Sequence, residues 1–212
     1  LAALSERGLA VAQAHPLLSF AGGARGPTLS GGALVIQGDP KAQRRARWLA
    51  RQLGMRPVVG SFDPTVYHAA ASIVANGASA LAAVGAELLR QQGLPTRAER
   101  LFGPLLRSAV EQLSRRGLPA ALSGPVRRGD LATIRRHLHV LERERPGLLP
   151  LYRELVACQV PLAAALGEAR AEDLAAIAEL SGATASAAPG AHPVERRIRA
   201  SSDRRALSPS RR

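Results

Sequence analysis

Between Asp63 and Gly93 the chain carries one unbroken helical signal, and it limits the possible folds more than any other segment. Val66, Ala70, Ile73, Gly77, Leu81, Val84 and Leu88 recur at alternating spacings of four and three, which lays a single apolar stripe along a helix. Asp63-Pro64 supplies an N-cap and a first helical residue, and Gly93 a stop. At ~1.5 Å per residue the helix would run roughly 40 Å. Its Ala, Gly and Ser positions allow neighbours to approach on more than one side, as in a central or dimer-forming helix. The apolar stripe is expected to face inward, with Ile73 buried.

The segments on either side differ in kind. Before residue 63, Leu9 to Ala14 reads as a short strand stopped by His15-Pro16, and Ala33 to Gln37 as another. Asp39-Pro40 then opens a helix with Ala42, Ala46, Leu49 and Leu53 on one face, and Arg56 to Gly60 is a further strand. Strand, strand, helix, strand is the closing section of an α/β domain. After residue 93 all signals are helical. Thr96 and Glu99 form a capping box, a helix runs to about Arg116 with an interruption at Gly103-Pro104, and Gly117 to Gly129 is a loop. Asp130 caps a helix that turns Leu131, Ile134, Leu138 and Leu141 inward, and helices follow over about 148–166 and 171–180. Periodicity then vanishes, so 182–212 reads as a disordered basic tail. The expected domains are therefore 1–62, 63–181 and this tail.

Composition narrows the function. With three Phe, two Tyr and one Trp, the core must be built from Leu, Ala and Val. The single cysteine, Cys158, excludes an internal disulfide and any multi-cysteine metal site, and it reads as a packed thiol. No metal ligand set is expected. No apolar run is expected to reach the ~18 residues of a membrane span, and no signal peptide is visible, which points to a cytoplasmic protein. The net charge of +13 invites a nucleic-acid reading. Its distribution speaks against one: seven arginines from Arg196 to Arg212 stand against Glu195 and Asp203, and the rest are scattered. With Lys41 the only lysine, an arginine-for-lysine genome bias explains the excess.

Three motifs carry candidate chemistry. His68, Ser72 and Asn76 sit at i, i+4 and i+8, so they form one polar stripe on the long helix. The stripe is either a solvated face or the wall of a cleft, with His68 as proton donor and Asn76 orienting a carbonyl or hydroxyl. Ser123-Gly-Pro-Val-Arg-Arg-Gly-Asp130 is a loop presenting Ser123, Arg127 and Arg128, and paired arginines suit carboxylate or phosphate. The third motif, His15-Pro-Leu-Leu-Ser-Phe20, ends a strand. His137 and His139 are two apart on a helix and make no metal pair.

In order, His15-Pro-Leu, Tyr67-His-Ala-Ala-Ala with Asn76, and Ser123 to Asp130 followed by Thr133 and His137 resemble a family of bacterial proteins. Its members join a Rossmann-like domain to a helical region known as domain of unknown function 2520, and the resemblance spans roughly residues 10 to 166. It implies an α/β remnant of a Rossmann-like domain followed by an all-α domain like the C-terminal domain of 6-phosphogluconate dehydrogenase. It further implies NAD(P), with His15 and Pro16 on the cofactor side, and a helical domain that shapes a substrate cleft and dimerises. By the same resemblance the chain, which opens on Leu1 and lacks the glycine fingerprint, reads as N-terminally truncated. Related hydroxyacid dehydrogenases place a catalytic lysine four residues before an asparagine on the long helix, where this chain has Ser72. The expectation is an NAD(P)-dependent oxidoreductase-like homodimer acting on a small anionic substrate, with His68 and Asn76 as catalytic groups and Ser72, Ser123, Arg127 and Arg128 binding substrate. The alternative is a non-catalytic binding or regulatory protein on the same scaffold.

Overall fold

The computed structural model describes residues 2–20, 22, 26–94 and 97–182. By contact the chain divides into two compact units, Leu1–Phe102 and Gly103–Arg212. The expected capping residue Thr96 and all of the expected tail beyond Gly182 lie outside the described residues.

The first unit opens with a short helical turn, α1 (Ala2–Ser5), and a three-stranded sheet, β1 (Ala12–Leu17), β2 (Ala33–Gly38) and β3 (Arg56–Val59), in the order β1-β2-β3. β1 pairs antiparallel with β2, with Gln13 opposite Gln37 and Pro16 opposite Leu34, and β2 pairs parallel with β3. Helix α2 (Pro40–Gln52) makes the crossover that a parallel pair requires. Leu34, Ile36, Ala50 and Met55 form the core beneath it. The His15-Pro16 stop is corrected: β1 continues through both residues to Leu17. β1 borders only β2 among the described strands, and an edge strand tolerates a proline that an interior one would not.

Gly38 closes the β1–β2 end. Its φ is +132°, and a Cβ there would lie 2.4 Å from the Val11 carbonyl oxygen and 2.6 Å from Ala12 Cα. The close approach lets Asp39 N–H donate to Val11 O at 2.8 Å while Val11 N–H donates to Asp39 Oδ2 at 2.7 Å. Asp39 thus occupies the N-cap position of α2 as expected, yet its carboxylate bonds β1 rather than the helix.

Helix α3 (Pro64–Gln91) matches the sequence reading in extent, and Asp63 accepts from Thr65 N–H at 2.7 Å as its cap. Its C-terminal half packs on a 3-10 turn (Ala98–Leu101) and on Phe102, whose ring fits against Gly85 so closely that a Cβ there would be 2.8 Å from Cζ. Ala86 and Ala98 are buried at this contact. The inward apolar stripe is corrected. Val66 is 66% exposed and Ile73 75% exposed: α3 meets β1 through Tyr67 near its start and the 3-10 turn near its end, and neither contact covers these two side chains. The membrane-length reading is corrected too: α3 is long and apolar enough to cross a membrane by length and composition, with mean hydropathy 1.5 over its best 18 residues. Its charged residues, Glu87 and Arg90, fall in the last turns, and before them the many alanines add to Ile73, Val74, Leu81 and Val84.

The second unit consists of α4 (Phe102–Arg116, its first residue belonging to the first unit), α5 (Leu131–Glu144), α6 (Leu149–Leu166) and α7 (Ala171–Leu180). Pro104 falls in the first turn of α4, where its missing N–H has no partner to lose, so no interruption results. Asp130 caps α5 through Thr133 N–H at 3.0 Å. Ile134 and Leu141 are buried as expected, and Ile134 shares a core with Val126, Val156, Ala163, Leu174 and Ile177. Pro161 lies within an otherwise continuous α6, and Gly167, left-handed at φ +68°, ends it. Cys158 is exposed, which corrects its expected burial: it occupies an outward position of α6 between the buried Val156 and the half-buried Val160. No strand occurs among the described residues from 64 to 182.

Candidate functional site

In a β-strand alternate residues share a face, so Gln13, His15 and Leu17 line one side of β1 and Pro16 the other. α3 begins beside that face. His15 Nδ1 and the Tyr67 hydroxyl share a hydrogen bond at 3.2 Å, with the rings edge to face and their centroids 5.2 Å apart. Phe62 stacks against the other side of Tyr67 at 5.1 Å, and its N–H donates to Gln37 Oε1 at 3.3 Å. Gln37 in turn donates to Gln13 Oε1 at 3.2 Å. These bonds tie the start of α3 to two strands.

Between them lies a depression of about 590 Å³ lined by Gln13, His15, Thr65, Tyr67, His68 and Ser72 among others. The structure thus brings His15, His68 and Ser72 to one hollow. Asn76 stands one turn beyond and donates through Nδ2 to Ser72 Oγ at 3.0 Å, leaving the Ser72 hydroxyl proton free to donate elsewhere. Burial pushes the Tyr67 phenol above its ordinary value, so it is a neutral donor over the physiological range. Pro16 does not line the hollow.

A second hollow of about 530 Å³ adjoins through Gln13. It is lined by Gln37, Gly38, Gln43, Val59, Gly60 and Ser61, at the carboxyl ends of the parallel strands, where open α/β sheets bind ligands. The amides and the Ser61 hydroxyl suit a carboxamide or sugar hydroxyls. No cationic side chain lines this hollow, and Asp39 at the adjoining start of α2 opposes a phosphate. Among the described residues no glycine-rich turn of the diphosphate-cradling kind leads from a strand into a helix. These residues therefore fit the amide end of NAD(P) and not its diphosphate.

The loop candidates belong to the second unit. Arg127 is not available as a ligand. Its Nε and Nη2 donate to Glu168 Oε2 and Oε1 at 2.8 and 2.6 Å, and its Nη1 donates to the carbonyls of Ala120 and Leu122 at 3.1 and 2.6 Å. The pair raises the Arg127 pKa and lowers that of Glu168, chiefly through the hydrogen bond between them. The paired-arginine reading is thereby corrected to one arginine. Arg128 is exposed: its backbone N–H donates to Pro125 O at 3.1 Å, but its guanidinium makes no hydrogen bond or ion pair with a described residue; Ser123 is exposed as well. Asp130 also accepts from the Thr133 hydroxyl at 2.7 Å, and its pKa falls mainly for that reason. His137 and Tyr152 share a hydrogen bond at 2.7 Å.

Sequence reasoning named His68 and passed over its neighbour Tyr67, the residue that joins strand to helix. No local signal marks it, because its role rests on a hydrogen bond to a histidine 52 residues away, as Tyr152 likewise pairs with His137.

The profile of the family described as Domain of unknown function (DUF2520) matches residues 33–158. The chain belongs to the DUF2520 family. The match runs from the start of β2 into α6, so this family's region takes in the parallel strand pair as well as the helices. No curated protein matches the chain. Among solved structures, the crystal structure of protein TM1727 from Thermotoga maritima is similar, with a TM-score of 0.61 and 23% identity over 72% of this chain and 61% of that one. The likeness is one of fold, and this DUF2520 chain spans about three fifths of that protein's length.

Proposed function

We propose that the hollow between β1 and α3 is the substrate site of an NAD(P)-dependent oxidoreductase-like protein. The observation that carries the reading is the His15–Tyr67 hydrogen bond, which holds the polar stripe of α3 against a strand face beside the carboxyl ends of a parallel pair. Within that hollow His68 is the candidate proton donor to a developing alkoxide or amine, and the neutral Tyr67 hydroxyl and Ser72 hydroxyl can each donate to a carbonyl oxygen. Asn76 acts through Ser72. Arg128 and Ser123, exposed on one loop of the second unit, are a separate candidate contact for an anionic group. NAD(P) remains the cofactor the resemblance implies; its diphosphate finds no cradle among the described residues, so the proposal rests on the substrate side.

The test is oxidation of NAD(P)H with panels of 2-oxo acids and cyclic imines by the full-length protein. Removing a general acid costs about 10²- to 10⁴-fold in rate, so His68→Ala should lower kcat by at least that lower bound, while Ser72→Ala should raise KM. Cofactor binding with equal turnover in all three proteins would remove His68 as an acid. That result would favour a binding or regulatory protein, a reading the serine at the dehydrogenase lysine position already supports.

A homodimer completes the proposal. Val66 and Ile73 on α3 are 66% and 75% exposed, and Leu105 and Val110 on α4 are exposed as well. Two apolar helix faces left to solvent favour association with a second copy.

A further inference from the structure

Two hollows that share Tyr67, the first at His15 and His68, make up the proposed trough. Tyr67 also borders a second hollow, about 460 Å³, lined by Leu17, Leu18, Ala70, Ala71 and Val74. The floor is one face of β1, where Gln13 and His15 are followed by Leu17, so the lining changes from polar to apolar along a single strand. Helix α3 changes in step: His68 and Ser72 stand over the polar half, and Ala70, Ala71 and Val74 over the apolar half. Alanines on that face leave the hollow open where larger residues would fill it. Tyr67 belongs to both halves, its hydroxyl bonded to His15 and its ring bordering the apolar side.

We infer that the trough takes an amphiphilic ligand, a carboxylic or 2-oxo acid whose polar head lies among Gln13, His15, His68 and Ser72 and whose hydrocarbon tail lies along Leu17, Leu18 and Val74. The distance from His15 to Leu17 is two strand residues, about 7 Å, the reach of a short alkyl chain or one aromatic ring. The volume is in the range of small-molecule sites, about 300–1,000 Å³. The inference rests on the reading of the polar half as the substrate site.

Calorimetric titration of the full-length protein with unbranched alkanoates from butanoate to octanoate separates the two claims, because it needs neither cofactor nor turnover. Each methylene buried should tighten binding about threefold to fourfold, on the order of a hundredfold over the series. Ala71→Phe, which fills the apolar half, should bring octanoate to the butanoate level, and Leu17→Ser, a milder change at a half-open position, should reduce the slope. A flat series in the wild type overturns the amphiphilic ligand, even where 2-oxo acids are reduced. A steep series with no reduction of any 2-oxo acid sustains it and removes the oxidoreductase reading alone. Loss of half the mass in Ala71→Phe would show that a second copy of the chain fills the apolar half, and the inference would fall.

Discussion

Gly38→Ala offers the sharpest check on how β1 is held, and so on where Gln13 and His15 stand. At φ +132° an alanine is strained, and a residue in so sparsely populated a conformation costs about 1–3 kcal/mol. Its Cβ, placed 2.4 Å from Val11 O, must also push the strand end away. That movement threatens the Asp39 N–H···Val11 O bond and the Val11 N–H···Asp39 carboxylate bond, worth about 1 and about 1.5–3 kcal/mol net. Partial loss of both puts the total at about 3–5 kcal/mol. Trp48, the sole tryptophan, lies on α2 beside this sheet, so its fluorescence reports the first unit. With a urea m-value of about 1–3 kcal/mol per molar, the midpoint should fall by about 1–5 M. Gly60→Ala is the control: a Cβ there meets nothing within 4 Å, and its stability should stay within about 0.5 kcal/mol of wild type. Equal midpoints for Gly38→Ala and Gly60→Ala would refute the close approach of β1 to Gly38.

Four further outcomes follow from features of the helical elements. Ile134→Ala deletes a fully buried side chain from the second core and should cost about 2–5 kcal/mol in chemical denaturation, whereas Ile73→Asp, on an exposed face, should leave the fold intact and lower the mass seen by light scattering if that face joins two copies. Asp130→Ala removes the α5 cap and should cost about 0.5–2 kcal/mol, read by thermal unfolding at pH 7. Glu168 and Asp130 both titrate lower in the folded chain than in the unfolded one, so the stability they supply is present above the unfolded carboxylate range near pH 4 and is lost as pH falls through their lower folded values. Glu168→Gln should therefore flatten part of the acid-unfolding curve below about pH 4; an unchanged curve would show that the ion pair contributes nothing to it.

Local signals were the legible part of this chain. Asp63, Asp130 and Gly167 act through their own turn of backbone, and the helices they bound fall within a residue or two of the periodicity. The stripe containing Ile73 was legible as a face in need of a partner, but a periodicity identifies a face and not what covers it. His15-Pro16 failed because proline's effect on a strand depends on whether another strand needs its N–H, which is a property of sheet order. For the site, His68, Ser72 and Asn76 could be aligned from helical spacing alone. Tyr67, Gln13 and Gln37 could not, since their roles depend on pairings across 24 to 52 residues. Arg127 and Arg128 look identical in sequence, and only the fold distinguishes the one bound to Glu168 from the one left exposed.

The bidentate contact between Arg127 and Glu168 sets a rule for how this half of the protein can change in length. The two residues are 41 positions apart and bracket α5 and α6, so the chain must run out along one helix and return along the other to its starting point. Removing one turn of α5 shortens the outward path by about 5.4 Å while the return path keeps its length. Glu168 would then overshoot the guanidinium, freeing the carbonyls of Ala120 and Leu122 together with the loop that displays Arg128. Insertions and deletions in these two helices are thus tolerated in matched pairs, or at the connection 145–148 if it takes up the difference. Divergent members of the DUF2520 family that keep this ion pair should show lengths of α5 and α6 that rise and fall together.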